Sequence, residues 1–393
     1  KPQVLLFGLG SGAIVLFVQR FLITKVHVPR LHRYLMVLLA LHVPIVVFPF
    51  VDLDQAFVKV ENFFDLAKWI LLLLAGIFTW RQGFRAARFF VIAWAIFMFT
   101  GMLINLAFMG VLPFNFITIQ GFMVGHAIEV VLLSLGLADR INLLREEKEA
   151  QEAELQTAHN MQMGLMPAEA PQIPGYDIAG RCLPASHVGG DFFQYFQRNG
   201  TLSVCLADVT GHGMEAAVPV MMFSGVLRSQ MADEQPVVTL FSRLNQILHA
   251  TLDKRTFVCL ALGELTLAER RLRLANAACP YPFRYCAATG QVEELGIGAY
   301  PLGVRAEAKY TALERVLDRG DYLVFCSDGI IEANNAQGQM FGFEQAAQTI
   351  REGCAAGLSA AALIDRLFNA VQTFSGDESQ GDDMTCVVVR ISS

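Results

Sequence analysis

The sequence predicts a two-part protein: a multi-pass α-helical membrane domain, then an α+β domain in which β-sheets pack together with helices outside. Long apolar runs are concentrated in the first 140 residues, whereas short apolar runs alternate with turn residues from about residue 170. Mean hydropathy is +0.43 and charged residues make up 17% of the chain, against the roughly 25% typical of soluble domains. We expect domains at 1–138 and 168–393, joined by a helical linker at 139–167.

Charge and cysteine content exclude several classes of function. The net charge of −6 argues against nucleic acid as a partner. All eight cysteines lie between Cys182 and Cys386 without a CxxC pair, which indicates free thiols in a reducing cytosol rather than disulfides or a zinc site. Because the chain opens on Lys1, we expect it to be a fragment or to be numbered from an internal residue.

Five apolar stretches are long enough to cross a bilayer, which takes about 20 helical residues. They are 3–23, 34–51, 63–80, 88–109 and 115–138. Lys and Arg mark the first and third connections and the exit from the fifth stretch, which predicts that these segments and the C-terminal half are cytoplasmic. Two further spans before Lys1 would make seven. Buried soluble helices are the alternative, but runs such as WILLLLAGIFTW are apolar on every face.

Glu129 lies inside the fifth stretch, with His126 about one turn before it. An ionisable residue in a span is costly and often functional. Two interpretations stay open: a functional acid, or an acid that pairs with His126 inside the bundle.

The linker is predicted to be a continuous helix that ends at Pro167. A heptad frame places these residues at a and d: Ile141, Leu144, Lys148, Gln151, Leu155, Ala158, Gln162 and Leu165. Several of them are polar or charged, so the coiled coil is poor. The segment is either a single solvated helix or the weak, switchable seam of a parallel homodimer.

The C-terminal half reads as strands separated by turns and helices. The predicted strands are TLSVCLADV, FVCLALGELTL, RLRLANAA, YLVFCSDG and MTCVVVRI, and two predicted hairpins are ELTLAERRLRL and YCAATGQVEEL. Three amphipathic helices are predicted at AAVPVMMFSGVLRSQM, VVTLFSRLNQILHATLD and AALIDRLFNAVQTF.

Aspartates lie at the ends of these strands: Asp191, Asp208, Asp328, Asp382 and Asp383. A single aspartate beside glycine is more often a turn or a cap. Several carboxylates aimed at one point, however, repel each other unless a cation neutralises them. A carboxylate set without histidine favours hard divalent ions such as Mg²⁺ or Mn²⁺ over zinc. The GHG turn after Asp208 leads into a helix whose N-terminus would face an anion.

Four motifs in order, VGGDFFQYF, LADVTGHG, FCSDGIIEA and GDDMT, are similar to those of SpoIIE/RsbU-type serine phosphatases, a bacterial branch of the metal-dependent (PPM) protein phosphatases. The resemblance spans about residues 158–391 and includes AHNMQMGLMP, AYPLGV and GQMFGFE. It implies two packed antiparallel sheets flanked by helices, an α-β-β-α sandwich, with two Mn²⁺ or Mg²⁺ ions in a cleft at one end.

The same resemblance implies a ligand set and a reaction. The metal ligands would be Asp191, Asp208, the Val209 carbonyl, Asp328, Asp382 and, directly or through water, Asp383. A metal-activated water would hydrolyse phosphoserine or phosphothreonine on a regulatory protein, by family analogy an anti-sigma-factor antagonist. Asp208 and Asp328 would be central to catalysis. His212 is a candidate for protonating the leaving oxygen, with a structural role in its turn as the alternative.

The segment GHAIEVVLLSLGLADRINLLREEKEAQEAEL resembles the last span of bacterial seven-transmembrane receptors with diverse intracellular signalling modules, as do QRFL and PRLHRYL. This resemblance covers about residues 1–148. It implies a receptor whose sensing domain would lie before Lys1. Together with the charge pattern, it leads us to expect a protein of the bacterial inner membrane with its phosphatase domain in the cytoplasm.

Two departures from the phosphatase pattern leave activity open to question. Gln194 stands where a second acid is common, which would weaken a metal contact or a bond that supports one. Ala278 and Cys279 replace Gly and His in a turn that would support the cleft. One rival is therefore a catalytically degenerate receptor whose soluble domain only binds a partner. Another is a diguanylate cyclase, because GGDFF resembles GGDEF, but that rival leaves SDG and DDMT unexplained.

Overall fold

The computed structural model describes residues 2–47, 55–186, 188–211 and 214–392. The chain forms two compact units, Lys1–Ala150 and Gln151–Ser393. The first unit is helical, and its helices are α1 (Pro2–Phe21), α2 (Thr24–His27), α3 (Pro29–Val47), α4 (Gln55–Arg81), α5 (Ala87–Phe108) and the start of α6 (Phe116–Met163).

Each of the five predicted apolar stretches falls on one of the long helices, although positions 48–51 of the second stretch lie outside the described residues. Within the described part of the chain, two segments are long and apolar enough to cross a membrane, Ala87–Ala107 and Phe116–Met163. Gly12–Phe21 is a shorter apolar helix. The described residues therefore contain fewer such helices than the five predicted from the sequence.

Small residues bring the helices of this unit close together. A Cβ added at Gly76 of α4 would lie 2.6 Å from the Phe90 ring of α5, and one at Gly125 of α6 would lie 2.4 Å from the Thr100 hydroxyl of α5. Close contact at small residues is typical of helices that pack in membranes.

The intramembrane acid of the sequence analysis has a partner. The Glu129 carboxylate lies 2.8 Å from Nδ1 of His126, and Glu129 is only 6% exposed. This contact supports the interpretation of a paired acid.

The second unit contains two five-stranded antiparallel sheets. The first has the order β1 (Tyr176–Leu183), β10 (Met384–Ile391), β9 (Tyr322–Cys326), β6 (Phe283–Cys286), β7 (Gln291–Glu294). The second has the order β2 (Asp191–Arg198), β3 (Thr201–Val209), β4 (Val258–Thr266), β5 (Arg271–Ala277), β8 (Leu313–Val316). Both predicted hairpins are present, as the pairs β4–β5 and β6–β7.

Helices cover the outer face of each sheet. Helices α7 (Met214–Met231) and α8 (Val237–Thr251) pack on the second sheet, while α10 (Gly342–Ala355) and α11 (Ala360–Ser375) pack on the first. A short helix, α9 (Asp328–Ile331), follows β9. The unit therefore has four layers, helix–sheet–sheet–helix, and the predicted α+β fold with two packed antiparallel sheets is confirmed.

Two apolar cores explain why β9 and β10 are hydrophobic without alternation. Phe325, Val387 and Val389 point into the core between the sheets. Their neighbours Val324 and Val388 belong to a second core under α10 and α11. A strand buried on both faces needs apolar residues at every position. The rigid, doubly buried strands hold the residues at their ends in place.

The linker helix is continuous, but it ends earlier than predicted. Helix α6 stops at Met163, just before Gly164, rather than at Pro167. Within the second unit, the heptad positions Ala158 and Gln162 are buried by the same chain. The C-terminal part of the proposed dimer seam is thus already covered, because its side chains pack within the second unit.

Candidate active site

The second sheet supplies two of the predicted acids. Asp191 opens β2 and Asp208 lies next to the end of β3, and the two residues are directly opposite in the antiparallel register. Directly opposed residues project from the same face of a sheet, and like charges there are destabilising. Asp191 is 2% exposed and Asp208 is partly exposed, so only one of the two carboxylates is held away from solvent.

The first sheet supplies the other acids. Asp328 begins α9 just after β9, and Asp382 and Asp383 precede the neighbouring strand β10. Ser327 fixes the two segments to each other: its Oγ donates to the Asp383 carbonyl at 3.0 Å and accepts from the Thr385 N–H at 2.8 Å. The backbones touch as well, because a Cβ added at Gly329 would lie 2.1 Å from the Asp383 carbonyl oxygen.

Burial and nearby carboxylates raise the pKa of several of these acids. Burial, together with the carboxylates of Asp328, Asp382 and Asp383, raises the pKa of Asp208 from 3.8 to about 7. Burial and the Asp208 carboxylate raise the pKa of Asp191 well above its ordinary value. Burial raises the pKa of Asp328 too, with Asp382 as the next cause. The strand ends therefore form one electrostatically coupled cluster.

Adjacent aspartates 382 and 383 have different environments. Asp382 is exposed, whereas Asp383 is 4% exposed. The Asp383 carboxylate accepts from the Ala185 N–H at 2.8 Å and from the Asp191 N–H at 3.3 Å. Asp383 thus holds the segment that leads into β2, while Asp382 faces the solvent-accessible side.

Two glycines allow the segment before β2 to approach the acids. A Cβ added at Gly189 would lie 1.6 Å from Oδ2 of Asp383. One added at Gly190 would lie 2.4 Å from the Val209 carbonyl oxygen and 2.7 Å from Oδ1 of Asp208. Larger residues would be excluded at both positions, so the GG of the motif is required by this close approach. It also places the Val209 carbonyl beside the Asp208 carboxylate.

The donor set fits a hard divalent cation. Oδ2 of Asp191 is buried and has no hydrogen-bond partner among the described residues, which is unusual for a carboxylate oxygen. The surrounding donors are carboxylate and carbonyl oxygens, the ligands that Mg²⁺ and Mn²⁺ prefer. In the part of the chain that the structure describes, however, no three His, Cys, Asp or Glu side chains are grouped so that they could hold one ion. Like-charged carboxylates repel one another without a counter-ion.

Cavities open beside the acids. One of about 430 Å³ is lined by Leu155, Val188, Gly189, Asp382 and Asp383, among others. A larger one of about 690 Å³ is lined by residues that include Glu332, Glu378 and Asp382. Asp382 lines both, so the acid cluster is accessible from two sides. His212 lies outside the described residues.

Gln194, at the first departure from the family pattern, does not contact the acids. Its Nε2 donates to the Leu165 carbonyl at 3.1 Å and its Oε1 accepts from the Tyr195 N–H at 3.0 Å. The expectation that this residue weakens a metal contact is not supported by these contacts, because its amide binds the segment after α6 instead.

The second departure, at residues 278 and 279, forms a strained but well-bonded turn. Ala278 has φ +66°, a left-handed conformation that favours glycine. Asn276 closes the turn, because its Oδ1 accepts from the Cys279 N–H and its Nδ2 donates to the Cys279 carbonyl, both at 2.9 Å. Cys279 is buried, and Asp208, Asp191 and Asp328 add to burial in raising the pKa of its thiol. The turn therefore lies close to the acid cluster, and the expectation that it supports the cleft stays a prediction.

Two supporting residues were not identified from the sequence. Ser327 was visible only as part of the SDG motif, and Gln162 only as one polar heptad position in AHNMQMGLMP. The only signal in the sequence was a polar heptad position between Ala158 and Leu165, which does not by itself indicate a role.

Comparison with known proteins relates both units to families. Residues 198–392 match the family described as Stage II sporulation protein E (SpoIIE), and residues 1–140 match the family described as 7TM diverse intracellular signalling. The phosphoserine phosphatase RsbU of Bacillus subtilis is 22% identical over 261 residues, which cover 66% of this chain and 77% of RsbU. Protein IcfG of Synechocystis is 21% identical over 264 residues, which cover 60% of this chain and 41% of IcfG.

Two solved structures share the fold of the second unit. The SiaA-PP2C domain of Pseudomonas aeruginosa superposes with a TM-score of 0.53 at 20% identity, over 62% of this chain and 98% of that domain. The RsbU and RsbW domains of Rv1364c from Mycobacterium tuberculosis give 0.51 at 24% identity, over 58% of this chain and 64% of theirs. The predicted resemblances are confirmed: residues 198–392 belong to the SpoIIE family of protein phosphatase domains, and residues 1–140 to the 7TM diverse intracellular signalling family.

Proposed function

We propose that this chain is a membrane-anchored, signal-regulated protein serine/threonine phosphatase that binds two Mn²⁺ or Mg²⁺ ions. The observation that carries the proposal is the convergence of acids from both sheets, with the buried and unpartnered Oδ2 of Asp191 at its centre. The ions would be held by Asp191, Asp208, the Val209 carbonyl, Asp328 and Asp382.

Divalent ions in such a site lower the pKa of bound water and polarise phosphoryl oxygens. The chain's own residues have supporting tasks. Asp383 holds the backbone before β2 through two N–H groups, and Gly189 and Gly190 keep side chains out of the cleft. His212 remains a candidate for donating a proton to the leaving seryl oxygen.

The proposed substrate is phosphoserine or phosphothreonine on a regulatory protein, with an anti-sigma-factor antagonist as the family analogue. Support comes from RsbU, which is named a phosphoserine phosphatase. The exposed position of Asp382 between two cavities leaves room for a polypeptide at the acids.

We place the phosphatase domain in the cytoplasm below a multi-pass inner-membrane region. The positive charges in the first and third connections support this orientation. Helix α6 would relay the signal, and a homodimer would form through its exposed heptad positions Ile141 and Leu144 rather than through the covered ones.

The decisive experiment measures phosphate release from a phosphoseryl protein by the full chain in detergent, with Mn²⁺ or with EDTA. Asp208→Asn and Asp328→Asn should abolish the metal-dependent rate. Asp233→Asn, which changes an exposed acid, is the matched control and should retain it. Metal binding without turnover in the wild type would instead favour the degenerate receptor.

The relay is tested by adding a charge to the covered face of α6. Ala158 is 8% exposed, so Ala158→Glu should displace the helix and separate activity from the membrane half. Ala153→Glu on the exposed face is the control. Phosphate-release kinetics that are the same in both variants would count against the relay.

A further inference from the structure

Gln162 makes an unusual double contact near the end of α6. Its Nε2 donates to the Gly189 carbonyl at 2.6 Å, and the Gly189 N–H donates to its Oε1 at 3.0 Å. The side-chain amide of Gln162 thus binds both the carbonyl and the N–H of Gly189. Gln162 is 3% exposed, so water does not compete for these bonds.

Gly189 is also the residue that lies against the acid cluster. A Cβ added at Gly189 would lie 1.6 Å from the Asp383 carboxylate, so the glycine backbone lies directly against it. The next residue, Gly190, lies in the same way against the Asp208 carboxylate and the Val209 carbonyl. Asp191 follows and begins β2. A shift of Gly189 would therefore move backbone that touches three of the proposed metal-binding or supporting groups.

Other residues near the end of α6 also contact the phosphatase domain. Leu155 and Ala158 pack with Val188 and Ala217 in a small apolar cluster. Beyond Gln162, the Leu165 carbonyl accepts from Gln194 at 3.1 Å and from Arg228 at 2.9 Å. Gln162 therefore adds a polar contact with the glycine segment to the apolar contacts that Leu155 and Ala158 make near this end of α6.

We propose that Gln162 is a positioning residue for the metal site, because its amide holds the Gly189 backbone against Asp383. The affinity of the site for the divalent ion would then depend on the position of the C-terminal end of α6. The inference rests on the proposed function and names the contact through which the helix would regulate the site. A merely structural glutamine would stabilise the fold without changing metal affinity.

The test uses the full chain in detergent and measures Mn²⁺ affinity without substrate, by electron paramagnetic resonance of free Mn²⁺. Gln162→Leu removes both bonds, and Gln162→Glu keeps the acceptor but loses the donor. Because each hydrogen bond contributes on the order of 1 kcal/mol, Gln162→Leu should weaken Mn²⁺ binding by about tenfold or more, and Gln162→Glu should weaken it too. Gln156→Leu, the same change at an exposed site of α6, should leave affinity within about twofold of wild type.

A second readout separates positioning from damage to the cleft. At saturating Mn²⁺ the phosphate-release rate of Gln162→Leu should return to near the wild-type value. The variant would then change metal affinity and leave kcat unchanged. Unchanged Mn²⁺ affinity in a folded Gln162 variant would overturn the inference even if the wild type is an active phosphatase. If circular dichroism shows that Gln162→Leu does not fold, the isosteric Gln162→Glu provides the measurement.

The two proposals fail in different ways. A wild type that binds Mn²⁺ but releases no phosphate contradicts the proposed activity, while the affinity series still tests Gln162. A wild type that binds no Mn²⁺ contradicts both proposals.

Discussion

Two aspartates of the phosphatase domain are almost fully buried, at opposite ends of the sandwich, and their surroundings differ. Asp321 precedes β9 and accepts from Arg284 Nη2 at 2.7 Å, from the Ala287 N–H at 2.9 Å and from the Asp318 N–H at 3.1 Å. Asp191 lies at the end where β9 leads into Asp328, with other carboxylates around it and one oxygen without a partner.

The difference separates a structural acid from the acid that we propose binds metal. A buried charge is stable when a counter-charge and hydrogen bonds replace its water. Asp321 has both within the chain. Among the described residues, Asp191 has carboxylates and no counter-charge around it, so its ionised form is favoured by a bound cation. Burial alone would not have distinguished the two residues, since both are nearly inaccessible.

The largest expected effect tests the functional end. Asp191→Asn should lower metal-dependent phosphate release on the order of 10³-fold, since metal polarisation is worth several kcal/mol. Its metal-free stability should be equal to or above wild type, because the amide removes an unfavourable buried charge. Phosphate release and urea unfolding in EDTA give the two values. A large loss of metal-free stability would place Asp191 with the structural acids.

The Asp→Asn substitution at Asp321, at the other end of the sandwich, should lower stability and leave activity intact. Asp321→Asn leaves Arg284 without its buried counter-charge and should destabilise the phosphatase domain by about 2–3 kcal/mol, lowering its unfolding midpoint by roughly 5–10 °C. The rate of phosphate release at 25 °C should stay near wild type. Asp365→Asn, which breaks an exposed ion pair with Arg181, is the control and should cost less than about 0.5 kcal/mol. Lost catalysis with unchanged stability would contradict the comparison.

The pH dependence of stability sharpens the comparison further. The folded pKa of Asp208, about 7, lies above its ordinary value of 3.8, so the folded chain binds an extra proton between these pH values. This contribution to stability is complete below pH 3.8 and is lost as pH rises through 7. In EDTA, the unfolding midpoint should therefore fall between pH 4 and 7 more steeply for wild type than for Asp208→Asn. Mn²⁺ should flatten the wild-type slope, and equal slopes in both chains would contradict the coupled cluster.

The smallest expected effect concerns the turn beneath the acids. Ala278 has a left-handed backbone conformation, which costs an L-residue about 1–2 kcal/mol. Glycine avoids this cost, but part of the gain is lost because glycine makes the unfolded chain more flexible. Ala278→Gly should raise stability by up to about 1 kcal/mol, measured by urea unfolding. Ala287→Gly, outside this conformation, should not raise it. A destabilised Ala278→Gly chain would mean that the methyl group packs usefully.

Much of the fold and part of the site followed from local pattern. The strand TLSVCLADV is β3 with the same bounds, MTCVVVRI is β10, and both predicted hairpins form. These segments were predictable because strand periodicity, turn chemistry and motif order are local properties. The end of α6 was misplaced by a few residues, since Gly164 stops the helix before Pro167 does.

The sequence by itself determined several of the strands, both hairpins and the identity of the acids at the strand ends. Only the tertiary structure decided which acids are exposed, what each one faces and which other residues support them. Asp382 and Asp383 are identical and adjacent in the sequence, yet one is exposed and the other binds two backbone N–H groups. Gln162 and Gly189 are 27 residues apart. Such contacts depend on how the layers pack, because a hydrogen bond between distant residues has no periodicity along the chain.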